Sequence, residues 1–259
     1  MDRELALPGL PVALRSRGRE DDYGPARAGL GQAPLPETVD LREPWHPVVD
    51  QGRTASCVGW TVADSVLRWH LVQAGRLAPG ARLSARQVWM SAKETDKRTD
   101  YPSAFLEEDG TSLKAGLDVA RKFGVVAEEA LPWDRGLAAG APDAFYASAH
   151  KIGAYFNLGD DAVEDRSSFF PRWRRWLFEH GPIAVLIKID GNIEHAGPEL
   201  DGFDEGTVAG SHCAALFGYA PDHFLLRSSW GPGWADGGYA RMSLAYTAAA
   251  VIESYGVTI

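Results

Sequence analysis

The chain has 259 residues, of which 45% are hydrophobic and 24% charged, which is ordinary for a globular protein. Its net charge of −9 argues against nucleic acid or an anionic membrane surface as the main partner. No run of about 18 apolar residues occurs, so the sequence predicts no membrane-spanning helix.

The N-terminal residues carry acidic side chains and lack a continuous apolar core, which is not the pattern of a secretory signal peptide. The chain has two cysteines, Cys57 and Cys213, too few for a disulfide framework or a zinc site by themselves. These features predict a reducing, cytoplasmic location and neither metal nor other cofactor.

Residues 1–36 contain five prolines and five glycines. A segment of this composition packs no core of its own. We therefore expect an extended N-terminal arm, either loose or laid over the rest, followed by one domain over residues 37–259.

The first helix is predicted from Ser56, because apolar residues recur there at three- and four-residue steps until Gly75. A second helix begins near Ser84, which with Gln87 has the spacing of a capping box.

A third helix follows Thr111 or Ser112 as the capping residue and ends at Gly124. Residues 132–165 are typical of loops around a short segment. Residues 167–181 then place Phe169, Trp173, Trp176 and Leu177 on one helical face, a pattern that favours core packing over a ligand site.

After this helix the pattern changes to short β-rich runs between Gly, Pro and Asp residues. Helices first and strands later predict an α+β fold, with a helical lobe mainly over 55–135 and a β lobe mainly over 145–259. The strand candidates are PIAVLIKI, HCAALFGYA, HFLLRSSW and GYARMSL.

Cys57 falls at the predicted start of the first helix, where the helix dipole favours a thiolate. An isolated cysteine is more often a small buried side chain, so a nucleophile needs a partner base. Of seven histidines, His212 is the best candidate, because it directly precedes an apolar strand and can point across a cleft.

At these residues the sequence resembles the papain-like cysteine peptidases, including their bacterial members. DQGRTASCVGW is similar to the nucleophile region, SHCAALFGY to the histidine segment and FLLRSSWGPGWADGGYARM to the segment that follows it. The order is the same over roughly residues 37–259. The resemblance implies a two-lobed fold, a helical lobe and an antiparallel sheet or barrel, with the active site in the cleft between them.

The resemblance also implies roles. Cys57 would attack a peptide carbonyl, and His212 would act as general base and then as general acid. The side-chain amide of Gln51, with the Cys57 N–H, would form the oxyanion hole. Trp230 would shield the histidine, and Gly110 would pair with an extended peptide substrate as an added strand.

Four departures from the family pattern stand out. Ser228 replaces the usual asparagine and has a shorter reach to the imidazole. Val58 stands directly after Cys57, where the family usually has an aromatic residue, and Trp60 can fill the space of that aromatic ring. The disulfide cysteines of secreted members are absent, and the arm is shorter than a long helical propeptide.

Ser211 and Cys213 flank His212 where the family builds its main side-chain pocket, so their small side chains predict a roomy or apolar subsite. Two other interpretations of Cys213 are open: it is a small buried side chain, or it is a redox partner for Cys57.

The prediction is a cytoplasmic cysteine peptidase acting through a thioester acyl-enzyme on peptide or protein substrates. One alternative is an attenuated or inactive relative that binds peptides or a partner protein, which Ser228 motivates. Another is an acyl-enzyme transpeptidase. The sequence gives no oligomeric state.

Overall fold

The computed structural model describes residues 13–16, 22–96, 110–134 and 146–259. Helices and one large sheet account for the regular structure of these segments, so the predicted α+β class is confirmed. None of the described helices combines the length and the apolar character needed to cross a membrane.

A continuous helical run over residues 57–73, here called the central helix, lies in the middle of the core. It begins as α1 (Cys57–Trp60), widens into π-helical turns over Thr61–Arg68 and ends as α2 (Trp69–Gln73). Nearly all its side chains are buried. The predicted end at Gly75 is confirmed: its φ of 67° is left-handed, which glycine adopts without strain.

Two further helices, α3 (Ala85–Asp96) and α4 (Leu113–Lys122), pack against the first part of the central helix. Both contacts depend on glycine. A Cβ at Gly59 would collide with the backbone of α3, and a Cβ at Gly116 would collide with the Val58 side chain. The start of the central helix is therefore fixed from two sides.

The caps of α3 and α4 agree with the sequence in part. Ser84 Oγ accepts from Gln87 N at 3.0 Å, but Ser84 N donates to Val126 O instead of to the Gln87 side chain, so the second bond of the predicted capping box is not formed. Ser112, rather than Thr111, caps α4 by accepting a backbone N–H of its first turn.

The large sheet has the strand order β4-β10-β5-β7-β8-β9-β6, with β2 paired to β7. Its strands are antiparallel, as predicted for this lobe, except for the two-residue edge strand β6, which pairs in parallel with β9. The described strands of this sheet are β2 (Val39–Asp40), β4 (Ala154–Asp160), β5 (Ile183–Ile189), β6 (Glu199–Leu200), β7 (Gly210–Tyr219), β8 (His223–Arg227), β9 (Tyr239–Ser243) and β10 (Val251–Thr258).

The remaining helices cover the sheet. The predicted apolar face of residues 167–181 is present in α5 (Phe170–Glu179), where Trp173 and Trp176 are fully buried. Short α6 (Gly191–Glu194) follows β5, and α7 (Leu244–Ala250) precedes β10. Sequence analysis predicted neither α7 nor β10. Single 3-10 turns lie at Pro25–Ala28, Arg166–Phe169 and Glu205–Thr207.

The described part of the N-terminal arm is laid over the body, one of the two expected arrangements. Its residues Ala13–Leu14 form β1, which pairs in parallel with β3 (Thr111–Ser112) as a two-stranded sheet. Farther along, Asn157 N donates to Tyr23 O at 2.9 Å, and Gly31 N donates to the Glu179 carboxylate at 2.8 Å. Residues 1–12 and 17–21 of the arm lie outside the described residues, and the boundary at residue 37 stays a prediction.

Candidate active site

The turn before the central helix is fastened to the segment that follows β8. Gln51 N donates to Ser229 O at 2.8 Å, and Gly231 N donates to Val49 O at 3.1 Å. These backbone hydrogen bonds hold the turn over residues 50–56 and the segment over residues 228–231 as one unit beside the start of the helix.

His212 lies in β7, and its ring is fully buried. Its Nε2 is 3.3 Å from Ser228 Oγ, and the Trp230 ring stacks on the imidazole with centroids 4.2 Å apart. Its Nδ1 makes no hydrogen bond of ordinary geometry with the described residues. Nδ1 is therefore the nitrogen that is available to exchange a proton with Cys57.

The Cys57 thiol is fully buried at the first position of the central helix. Burial by itself raises the pKa of this thiol. The Cys213 thiol and the neighbouring His212 imidazole favour the thiolate strongly enough to outweigh burial and bring the pKa of Cys57 well below its usual value. A lowered thiol pKa beside a histidine is the signature of an activated nucleophile.

Cys213 behaves in the opposite way. Burial and the neighbouring Cys57 raise the pKa of the Cys213 thiol well above its usual value. Cys213 therefore keeps its proton and donates it in a hydrogen bond to Cys57. The predicted subsite residue thus lies against the candidate nucleophile, fully buried in β7.

The amide of Gln51 is held at both ends. Its Oε1 accepts from Ser229 Oγ at 2.6 Å, and its Nε2 donates to Thr54 O at 2.7 Å. An amide nitrogen carries two hydrogens, so one remains for a ligand. Ser229 was missed by sequence analysis, although its place between Ser228 and Trp230 in the quoted motif was a usable signal.

The predicted substrate-strand residue Gly110 directly precedes β3, which pairs with Ala13–Leu14 of the arm. On the opposite side, Ser211 Oγ donates to Ala13 O at 2.8 Å. The arm thus runs between Thr111 and Ser211, beside two of the positions, Gly110 and Ser211, that were predicted to contact a substrate.

A buried carboxylate, Glu253, also contacts the arm: its Oε1 accepts from Ser16 N at 2.8 Å. Glu253 lies in β10 and adds to the rise in the pKa of Cys213. It was missed because sequence analysis did not predict β10 and therefore could not place this residue near the site.

A second buried polar cluster, here called the Asp64 cluster, lies farther along the central helix and consists of His46, Asp64, Arg68 and Arg227. Asp64 Oδ1 is 2.9 Å from Arg68 Nη1, and Asp64 Oδ2 is 3.0 Å from Arg227 Nη2. Burial alone would raise the pKa of Asp64, but His46 and the two guanidinium charges hold that pKa below its usual range. The pKa of His46 is lowered, mainly by burial.

Within the described segments, no group of three or more His, Cys, Asp or Glu side chains is arranged to hold a metal ion. The site therefore offers a thiol, an imidazole, an amide and hydroxyl groups. These are the components of nucleophilic acyl transfer.

Comparison with known proteins identifies the family. A model described as "Papain family cysteine protease" matches residues 35–258. The chain belongs to the papain family of cysteine proteases. The resemblance inferred from the sequence motifs is thereby confirmed.

The papain-family relatives are distant in sequence. Oryzain beta chain from Oryza sativa subsp. japonica is 24% identical over 246 residues, which cover 90% of this chain and 47% of oryzain. Papain from Carica papaya is 34% identical over 67 residues, which cover 24% of this chain and 18% of papain. The chain spans about half the length of the first curated relatives it matches.

Solved structures agree in fold. Xylellain, a cysteine protease from Xylella fastidiosa, has a TM-score of 0.77 at 20% identity, covering 97% of this chain and 96% of xylellain. Digestive procathepsin L 3 from Tenebrio molitor larval midgut has a TM-score of 0.66 at 18% identity, covering 97% of this chain and 75% of the procathepsin. The papain-like fold is therefore confirmed, whereas the roles of individual site residues stay predictions.

Proposed function

We propose that this chain is a cysteine peptidase that hydrolyses peptide bonds through a thioester acyl-enzyme. The observation that carries the proposal is the Cys57 thiol at the start of the central helix, its pKa lowered by His212 and Cys213, in a chain of the papain family. The thiolate is the reactive form of cysteine, so the resting site is prepared for attack on a carbonyl.

In acylation, the Cys57 thiolate forms a bond to the peptide carbonyl carbon, and the carbonyl electrons move onto oxygen. The second Nε2 hydrogen of Gln51 and the Cys57 N–H stabilise this oxyanion. Protonated His212 gives its proton to the leaving amine as the C–N bond breaks. Water, deprotonated by His212, then hydrolyses the thioester and restores the thiolate.

We propose peptide or protein substrates that bind as an added strand beside Gly110. The arm supports this, because Ala13–Leu14 already pairs with Thr111–Ser112 at that edge. A substrate strand would use the same backbone groups.

A cytoplasmic location remains part of the proposal and stands on the chemistry of Cys57 and Cys213, both of which are reduced thiols. A reducing compartment preserves the nucleophile in its active form. Cell fractionation that recovers the protein in an oxidising compartment would contradict this location.

The test combines hydrolysis with alkylation. Cys57→Ala is expected to reduce hydrolysis of a peptide library by roughly four orders of magnitude or more, because the nucleophile is lost. The pH dependence of iodoacetamide labelling, assigned to Cys57 or Cys213 by peptide mass mapping, reports the ion pair independently of turnover.

For wild type, Cys57 labelling is expected to have a midpoint well below the value of about 8.5 for a free thiol. In His212→Ala that midpoint should move toward 8.5. Unchanged hydrolysis in Cys57→Ala would overturn the proposal, as would a wild-type Cys57 profile that matches a free thiol.

A further inference from the structure

Arg227 is a buried guanidinium directly before Ser228 and Ser229 in the chain, with 1% of its surface exposed. An arginine has five N–H donors, and all five are used here. Its hydrogen bonds run from Nε to Ser65 Oγ at 3.3 Å, from Nη1 to His46 O at 3.0 Å and Tyr239 Oη at 2.6 Å, and from Nη2 to Pro47 O at 3.0 Å and Asp64 Oδ2 at 3.0 Å.

These acceptors belong to three parts of the molecule. Ser65 and Asp64 lie on the central helix that starts at Cys57. The carbonyls of residues 46 and 47 belong to the segment that leads to Gln51. Tyr239 begins β9, beside β8. One planar group therefore fixes the helix, the approach to Gln51 and the strand that leads to Ser228 relative to one another.

The hydrogen bonds of Arg227 matter for the active site because the direct contact between His212 and Ser228 is weak. The Nε2–Ser228 Oγ separation of 3.3 Å is long for a hydrogen bond, and a serine hydroxyl rotates freely. The position of the imidazole then depends on where the backbone places Ser228 and the stacked Trp230. That backbone leaves β8 at Arg227.

We propose that Arg227 is a positioning residue of the active site, which sets the distances between the Cys57 helix, the Gln51 turn and the Ser228–Trp230 segment. The proposal rests on the peptidase function proposed above. Arg227 touches none of the reacting groups; it acts through the three segments that it joins.

Arg68 offers a matched comparison within the same cluster. It pairs with Asp64 Oδ1 at 2.9 Å and donates to Trp45 O at 3.3 Å and Pro79 O at 2.9 Å. It has equal charge and is also buried. Its acceptors lie on the central helix and at residues 45 and 79, and it donates to neither β9 nor the end of β8, so Arg68 supports the cluster without joining it to the Ser228–Trp230 segment.

The experiment compares Arg227→Lys with Arg68→Lys. Lysine keeps the charge but has three donors, so it satisfies at most three of the five acceptors of Arg227. Peptide hydrolysis and the pH profile of Cys57 alkylation are measured at a temperature where circular dichroism shows both variants folded.

For Arg227→Lys we expect kcat to fall roughly 10- to 100-fold with KM little changed, since small misplacement of catalytic groups is costly. The alkylation midpoint should move toward that of a free thiol. Arg68→Lys should change kcat by less than about threefold. Equal loss of kcat in the two variants, or an Arg227→Lys effect confined to unfolding stability, would overturn the proposal.

If Arg227→Lys does not fold, Tyr239→Phe removes only the 2.6 Å bond from Arg227 and serves in its place. It should lower kcat severalfold and shift the alkylation profile in the same direction; wild-type values for both would overturn the proposal. If wild type cleaves no peptide, the peptidase function fails. The alkylation profiles still decide the role of Arg227, because they require no turnover.

Discussion

Two groups of buried polar side chains lie along the central helix, and they differ in how closely their central side chains are hydrogen-bonded. In the Asp64 cluster, each carboxylate oxygen of Asp64 has an arginine within 3.0 Å, and all five donors of Arg227 are used. Around Cys57, the His212–Ser228 contact is longer, at 3.3 Å, and His212 Nδ1 has no hydrogen bond of ordinary geometry.

This difference distinguishes the Asp64 cluster, which holds parts of the fold together, from the reactive site around Cys57. A buried charge that lacks a counter-charge is costly, and the Asp64 cluster pairs its carboxylate with two guanidinium groups, although His46 Nδ1 and Arg68 Nε make no hydrogen bond with the described residues. A site that must bind a reacting group keeps a donor or acceptor available, as Gln51 Nε2 and His212 Nδ1 do. The Asp64 cluster therefore fixes the structure, whereas the Cys57 end, although buried, keeps hydrogen-bonding groups that a reacting ligand can use.

The largest effect is expected when the carboxylate of the Asp64 cluster is removed. Asp64→Asn leaves two buried guanidinium groups without their carboxylate, so the free energy of unfolding at pH 7 should fall by about 3–5 kcal/mol. Urea denaturation measures it. The control is Asp40→Asn, whose partner Arg42 is exposed; this variant should lose less than about 1 kcal/mol. Equal losses would contradict the distinction between anchor and surface pair.

Asp64→Asn is also expected to change how the free energy of unfolding depends on pH. The pKa of Asp64 is lower in the folded state than the unfolded value of about 3.9, so its stabilisation is complete above roughly pH 5. It declines as the pH falls below that value toward the folded pKa. Asp64→Asn should therefore flatten the acid limb of a stability–pH curve; an unchanged limb would show that other groups determine it.

At the reactive end, Gln51→Ala should lower kcat by roughly 10²- to 10³-fold, because an oxyanion donor is lost. Steady-state peptide hydrolysis tests this. Ser229→Ala keeps the amide but removes the 2.6 Å bond that orients it, so its loss should be smaller, about tenfold. A Gln51→Ala enzyme with kcat within threefold of wild type would remove Gln51 from the mechanism.

The smallest effect is expected at Ser228. Ser228→Ala removes a long hydrogen bond, while the Trp230 ring still stacks on the imidazole, so kcat should fall only about fivefold. Ser228→Asn, with its longer reach, should equal or exceed wild type. A loss in Ser228→Ala as large as that in Gln51→Ala would mean that the serine, rather than the backbone and Trp230, orients His212.

The sequence predicted those parts of the fold that local patterns encode. The helix from Cys57, the cap at Ser112 and the strand β7 follow from apolar periodicity and capping chemistry, although β7 begins at Gly210 and so contains His212, which was predicted to precede it. The order of the motifs predicted the fold family and identified Gln51, Cys57 and His212 as candidate active-site residues.

The features that the sequence did not predict depend on contacts between residues that are far apart in the chain. Arg227 bonds to residues more than 150 positions away, and no local pattern pairs it with Asp64. Glu253 lies in a strand whose small and polar residues, such as Ser254 and Gly256, gave no alternating signal. Thiol-to-thiol contact between Cys57 and Cys213 likewise needs the packing of β7 against the helix.

The pairing of Ala13–Leu14 with Thr111–Ser112 has a thermodynamic consequence. On the proposed function, a substrate strand enters by exchange, because it must replace a strand of the same chain. Its measured affinity is then the difference between two pairings, reduced by the fraction of molecules in which the edge of β3 is open. The same pairing covers an edge that would otherwise present unpaired backbone groups to another copy. Substrate selection and resistance to self-association are thus linked through the same few residues of the arm.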